Sequence, residues 1–267
     1  MIKIHSITSE PRILFWDVET AKMILRMEVY QLKQYSKYLP HTAIERDIWM
    51  PCAAWKWKGQ DHTSSVSVLK SDAFDQCYWD DFIVIDRLHK LMHEADIIVA
   101  HNGDNFDWKM LNVRCVSHGL TPPPKPMMID TLKIARREFR FASNSLRYLA
   151  EFLGVEDKGN SPDWSKVSSG DREAIEYCER YCRQDIRTLE GVFYKLLPYA
   201  TNLPNINTLM DGVHHNICPS CGHWDLEARG YRYTKAGKYQ RHQCRPQTGG
   251  CGSWSQSKKN LKKVDIR

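Results

Sequence analysis

Residues 12–18 (RILFWDV) form an apolar run rich in strand formers, and it ends on two acids spaced two apart, Asp17 and Glu19. Such a run reads as a buried strand. Side chains alternate along a strand, so the two carboxylates project from the same face at its end. Open α/β sheets place their ligands at that edge. Two acids there make a platform for a divalent cation; a solvated turn is the ordinary alternative for the pair taken alone.

The residues that follow support a layered α/β body. Segments 48–57 (IWMPCAAWKW) and 63–69 (TSSVSVL) read as neighbouring strands. Segment 79–95 sets Phe82, Ile85, Leu88 and Met92 at helical spacing, and 95–100 (ADIIVA) is a buried strand. A turn at 101–105, a helix over 106–117 ended by Gly119, and the rigid loop TPPPKP come next. Two helices are predicted at 130–139 and 144–153, the second with Ser143 or Asn144 as N-cap and Gly154 just past its end. A polar loop spans 156–170, a long helix runs over 171–197 to Pro198, and 201–211 reads as a linker. The polar, tyrosine-rich stretch 21–47 receives no assignment.

Two further groups of residues carry chemistry. Asp107 follows the buried strand 97–100 and opens a helix, where it serves either the same sheet edge or only the first turn of its own helix. Tyr181 and Asp185 are spaced four apart and share a helix face; the alternative is a core tyrosine and an aspartate paired with Arg183 or Arg187. Tyr177, one turn earlier, is a rival to Tyr181. Cys178 and Cys182 read as buried thiols, and His89 and His93 as surface residues lacking a third ligand.

Taken in order, Asp17-Val18-Glu19-Thr20, Asn102 through Asp107, and Tyr181 through Asp185 resemble the three motifs of the DEDD exonuclease superfamily, tyrosine subclass, over roughly residues 10–200. The whole chain is also similar to ribonuclease H-like proteins of bacteriophages and prophages. The resemblance implies a ribonuclease H-like mixed sheet flanked by helices, and removal of nucleotides from the 3′ end of DNA or RNA. It implies Asp17, Glu19, Asp107 and Asp185 as ligands of two Mg²⁺ or Mn²⁺ ions, and Tyr181 as the residue that orients the attacking water. Thr20 and Asn102 become candidates for contact with the terminal nucleotide, Asn102 having a turn-forming role as its alternative. A non-catalytic nucleic-acid-binding or replication-accessory protein and a structure-specific endonuclease are the competing readings.

The tail has its own pattern. Four of the nine cysteines fall between Cys218 and Cys251, a spacing suited to metal rather than to disulfides. Cys218-Pro-Ser-Cys221 is a zinc-knuckle turn, and Cys244 and Cys251 supply the second pair, so one structural Zn²⁺ in a zinc ribbon is expected. The second half, CRPQTGGC, is longer than a CxxC, and His223, His242, His214 and His215 stay open as substitutes. Residues 214–267 carry eleven Lys/Arg against three acids, a formal +8, which leaves −2 for the first 213 residues. A basic tail suits a polyanion; Arg229, Arg232, Lys238 and Arg241, with Tyr231, Tyr233 and Tyr239, are the candidates for nucleic-acid contact. A solvated or protein-docking module is the plainer account.

The predicted organisation is a ribonuclease H-like domain over 1–200, a linker at 201–213, a zinc ribbon at 214–256 and a basic tail at 257–267, within 267 residues. Apolar stretches fall far short of the ~18 residues of a membrane helix, and residues 1–10 lack a signal-peptide apolar region. The expected location is the cytoplasm.

Overall fold

In a computed structural model, which describes residues 11–28, 39–155, 159–210 and 217–263, the apolar run becomes the central strand of the body. Along the chain come β1 (Ile13–Glu19), the short pair β2 (Ile24–Leu25) and β3 (Ile44–Arg46), β4 (Cys52–Trp57), β5 (Ser64–Ser67), α1 (Phe82–Glu94), β6 (Ile97–Ala100), α2 (Asp107–Ser117) and β7 (Met127–Asp130). Then follow α3 (Thr131–Glu138), α4 (Leu146–Leu153), α5 (Trp164–Ser168) and α6 (Arg172–Leu196), and finally β8 (Leu226–Thr234), β9 (Gly237–Cys244) and β10 (Trp254–Lys263). Residues 1–10, part of the tyrosine-rich stretch, part of the 156–170 loop, and His214 and His215 lie outside the described residues.

The main sheet is ordered β5-β4-β1-β6-β7. β1 pairs antiparallel with β4 and parallel with β6, so the sheet is mixed. Leu14, Phe15 and Trp16 are fully buried, as a strand covered on both faces requires. Alternation assigns the layers. Phe15 meets Phe193 of α6 edge-on at 5.4 Å between ring centroids. On the same face, Cys52 of β4 sits 3.7 Å from Cys178, and the Ser65 and Ser67 hydroxyls donate to Glu179 at 2.6 and 2.7 Å. On the opposite face, Trp55 pairs across from Trp16 and carries the Arg87 guanidinium of α1 over its ring at 4.9 Å. α6 therefore lies across β1, β4 and β5 on the face that also bears Asp17 and Glu19.

Local sequence differs from the expectation in four places. Residues 127–130 form β7, paired with β6, and Asp130 caps α3 by accepting from Leu132 N and Lys133 N, so the helix begins one residue later than predicted. The proline-rich approach hid a strand of only four residues. The N-cap of α4 is Ser145, not Ser143 or Asn144: its hydroxyl accepts from Tyr148 N at 3.3 Å, while Gly154 closes the helix at φ 63°. The polar loop contains α5, capped by Asp163. β10 takes residues 257–263, read as tail, into a three-stranded antiparallel sheet β10-β9-β8; its polar side chains gave no apolar alternation to see.

A buried ionic knot holds the outer layer to the sheet. Asp81, fully buried, receives Arg114 Nε and Nη2 at 2.7 Å each, His118 Nε2 at 2.6 Å and the Met50 amide at 2.8 Å. Removing the carboxylate leaves a poorly hydrated guanidinium unpaired. Asp81→Ala is expected to lower unfolding stability by about 3–5 kcal/mol in urea titration; a loss below ~1 kcal/mol, the range of a surface pair, contradicts this account of the knot.

Candidate functional site

The C-terminal end of β1 gathers the acids. Ligand-bearing atoms of Asp17, Glu19 and Cys182 lie within 4.8 Å of one another, and Cys182 Sγ is 3.7 Å from Asp17 Oδ2. Cys182 is thus both the buried thiol expected and a neighbour of the acidic pair, a proximity that sequence spacing does not reveal. Asp107 arrives from α2: its Oδ1 accepts the amide of Val18, the residue between the two acids, at 3.3 Å. Asp185 is buried on α6, three residues past Cys182 and one turn past the half-buried Tyr181. Neither Asp107 nor Asp185 belongs to the 4.8 Å trio; Asp107 reaches the strand through the Val18 amide, and Asp185 is buried on α6.

Asp107 is 3% exposed. Burial pushes its carboxyl up to about 7, and the neighbouring Asp130 acts in the same direction against the hydrogen bonds from the Val18 amide and its own backbone N–H. No cationic side chain bonds to it among the described residues. A buried carboxyl beside two more acids is the donor set of a hard divalent cation, whose charge would let all of them ionise.

The loop between β6 and α2 is held from below. Asp130 Oδ1 accepts from Asn102 N at 2.9 Å, and Asn102 takes a left-handed φ of 71° while its carbonyl accepts from the Asn105 and Phe106 amides at 3.1 and 3.0 Å. The turn-forming role weighed for Asn102 is therefore present. Asp104 bonds Lys125 at 2.9 Å and also Lys133, pinning the loop to the proline-rich segment and to α3. Asp130 and Asp104 were not singled out in the sequence; the Asp-Thr-Leu-Lys cap at 130–133 was the signal available for the first. Thr20 follows β1 directly and is half-buried. Tyr177 donates its hydroxyl to Asn160 O at 2.8 Å. His89 bonds Thr121 O at 2.9 Å on the far layer.

The tail cysteines converge. Sγ atoms of Cys218, Cys221, Cys244 and Cys251 lie within 4.8 Å of one another, with the Cys218–Cys251 and Cys221–Cys244 pairs at 3.7 Å. Tetrahedral ligation at a Zn–S distance of ~2.3 Å places sulfurs about 3.8 Å apart, whereas a disulfide needs ~2.05 Å. Gly222 and Gly252, each directly after a cysteine, both adopt φ 80°. Burial pushes the Cys244 thiol up to about 12, a cost that a cation would offset. Of the histidines left open, His223 bonds Thr248 Oγ1 at 3.1 Å and His242 lies outside the group of four. Ser253, whose Oγ is 3.0 Å from Cys251 and 3.4 Å from Cys218, was not anticipated.

The basic candidates do not share one face. Register pairs Arg232 with Tyr239 and Arg241 with Gln256, which sets Arg232, Tyr239 and Arg241 on one side, and pairs Lys238 with Tyr233, which sets Lys238, Tyr231 and Tyr233 on the other. Arg229 is paired with Glu227 at 2.9 Å. A cleft of about 590 Å³ between Ile13, Tyr194, Cys221 and Trp224 lies at the opposite end of β1 from the acids.

Residues 47–197 match the sequence profile of the RNase H superfamily, more than half of the chain. A DNA polymerase 2 of Aeropyrum pernix is 24% identical over 138 residues, covering 43% of this chain and 17% of the polymerase. The family B DNA polymerase of Pyrobaculum calidifontis superposes with a TM-score of 0.52 at 20% identity, over 70% of this chain and 25% of that one. The chain thus spans a small part of each, and the second likeness is one of fold. Among the described residues no helix is long and apolar enough to cross a membrane.

The charge at Asp107 has a measurable sign. Its folded pKa lies above its ordinary 3.8, so between pH ~4 and 7 the folded state binds more protons than the unfolded one, and stability falls as pH rises through that window. In chelator, Asp107→Asn is expected to equal the parent near pH 4, to gain on it up to about pH 7 and to hold a constant advantage above. Denaturation midpoints measured across pH check this; an Asn variant less stable than the parent at pH 8 would contradict a buried, uncompensated charge.

Proposed function

This chain belongs to the RNase H superfamily, and we propose from that membership, together with the acids at the end of β1, that it is a metal-dependent 3′-to-5′ exonuclease of the DEDD type, tyrosine subclass, hydrolysing DNA or RNA in phage or bacterial nucleic-acid metabolism. The observation that supports the reading is the bond from the Val18 amide to Asp107, which ties a further carboxylate to the backbone between Asp17 and Glu19, while α6, the helix bearing Tyr181 and the buried Asp185, packs on the face of that pair.

In this reading Asp17, Glu19, Asp107 and Asp185 hold two Mg²⁺ or Mn²⁺ ions. The chemistry such ions supply is neutralisation of the charge that builds on the phosphoryl oxygens at the attacking and leaving sides. Oxygen donors favour these hard ions. Tyr181 orients the attacking water through its hydroxyl, in line with the scissile bond. Cys182, donating toward Asp17, holds that carboxylate in place. Thr20 and Asn102 border the position of the terminal nucleotide, and the left-handed turn at Asn102, tied to Asp130, fixes the direction in which its amide faces. The relatives named as DNA polymerases support a nucleic-acid substrate; a single strand is proposed because an open sheet edge admits a strand end without a duplex partner. The cysteine tail is proposed to be a zinc ribbon with one structural Zn²⁺ held by Cys218, Cys221, Cys244 and Cys251, residues 201–213 linking it to the catalytic domain.

End-labelled single-stranded and duplex DNA and RNA, incubated with Mg²⁺ or Mn²⁺, test the activity. Stepwise shortening from the 3′ end, reduced more than about 100-fold in Asp107→Ala, is expected. Intact substrates under every condition would favour a binding protein, and cleavage of a circular strand an endonuclease. For the tail, metal analysis of Cys221→Ser and Cys251→Ser should show zinc lost from about one per chain; unchanged stoichiometry in both rules out the four-cysteine set.

A further inference from the structure

The face of the small sheet that carries Arg232 and Arg241 forms one wall of a cleft. Arg232, Arg241, Trp254 and Gln256 line this cleft of about 570 Å³ closed on its other side by Thr201 and Ser220, where the chain leaves α6 and enters the cysteine turn. Trp254 pairs across from Gln243 and so projects on the same side as Arg241. The Arg241 guanidinium lies over the Trp254 ring at 4.9 Å, and Trp254 as a residue is 47% exposed. Arg232 Nη1 donates to the neutral amide oxygen of Gln256 at 3.1 Å.

Charge pairing separates these arginines from their neighbours. Arg229 is neutralised by Glu227 at 2.9 Å, and Arg245 lies 3.5 Å from Glu227 and 3.8 Å from Asp225. Among the described residues no carboxylate pairs with Arg232 or Arg241, so two positive charges stand in the cleft with no internal counter-ion. On the reverse face Lys238 sits 3.8 Å over the Tyr231 ring, where its ammonium covers the surface a base would need. Arg241 and the half-exposed Trp254 both line the cleft, where guanidinium N–H groups can reach phosphate and the exposed indole can meet a base.

We propose that this cleft is a second nucleic-acid site, in which Trp254 stacks a base and Arg241 and Arg232 bind the flanking phosphates of a single strand. It rests on the reading that nucleic acid is the substrate and extends it by naming where the strand runs. The cysteine turns lie near the start of β1, where Ile13 and Cys221 border one cleft, whereas the acids close the other end of that strand, whose length is roughly 20 Å. A strand whose end lies at the acids reaches the Trp254 cleft only with nucleotides upstream of the scissile bond. The site therefore favours long single strands over short ones and over blunt duplexes, whose stacked bases offer no free face.

The test uses the full chain carrying Asp107→Asn, in which cleavage is blocked, and the anisotropy of a fluorescent thymidine 20-mer. Trp254→Ala and Arg241→Ala are each expected to weaken binding about tenfold. Arg241→Ala should also lower the salt slope by ~0.7, the share of a single phosphate on a single strand. Lys90→Ala, the same charge change on the distant α1, should leave binding within twofold, and Trp254→Phe should recover part of what Trp254→Ala loses. Zinc content and melting temperature equal to the parent show that the small sheet is folded in each variant. Affinities within twofold of the parent for Trp254→Ala and Arg241→Ala, with the fold intact, overturn the proposal, and so does equal competition by polyglutamate, which would reduce the site to unspecific charge attraction. Should the protein with Asp107 restored cleave 3′ ends while these variants bind normally, only the second site falls; should the oligonucleotide bind through Trp254 with no cleavage by the parent, the exonuclease reading falls and the second site stands.

Discussion

One hydrogen bond organises the acidic site. By accepting the amide of Val18, Asp107 ties the first turn of α2 to the central strand at the point between Asp17 and Glu19. The bond forces a carboxyl into a buried position beside like charges, where burial holds its pKa far above the ordinary value. A fold has little reason to keep such a group for stability alone, since an apolar or amide side chain would be easier to bury. Its retention makes physical sense where a cation shares the charge, and the geometry around it, with α6 laid over the same face of the sheet, is arranged from the strand order outward. Asp130 extends the arrangement by one layer, anchoring the turn at Asn102 and adding to the charge that Asp107 meets.

Much of this was legible in the sequence because burial writes a strong signal. An apolar strand with acids at its tip, a helix with Tyr181 and Asp185 one turn apart, and Gly154 at a helix end all follow from side-chain period and backbone freedom, and the structure places each of them so. What escaped has a physical reason in each instance. β7 is four residues long and follows four prolines in TPPPKP, so neither length nor alternation marked it. β10 is polar apart from Trp254 and Leu261, too few apolar residues to set a period. Cys182 and Asp17 meet although they are 165 residues apart, beyond any local pattern. The basic residues of the tail were grouped by charge, and only the register of β8 with β9 divides them between two faces.

The body and the tail are stabilised by different means. The body buries a continuous core on both sides of β1 and fastens its outer layer through Asp81, whereas the small sheet is largely exposed and converges on four sulfurs at the spacing of a tetrahedral centre. So small a sheet gains little from burial, and ligation energy is the natural substitute. That division leaves the outer surfaces of the small sheet available for polar contacts, which its surplus of cations and its exposed Trp254 and Tyr233 exemplify.

The most direct examination of the central claim is anomalous X-ray diffraction from crystals grown with Mn²⁺. The account predicts peaks at the end of β1, with carboxylate oxygens of Asp17 and Glu19 about 2.0–2.2 Å from an ion and Asp107 turned toward it. Ordered density for the same side chains in saturating Mn²⁺, with no anomalous peak among them, would contradict it.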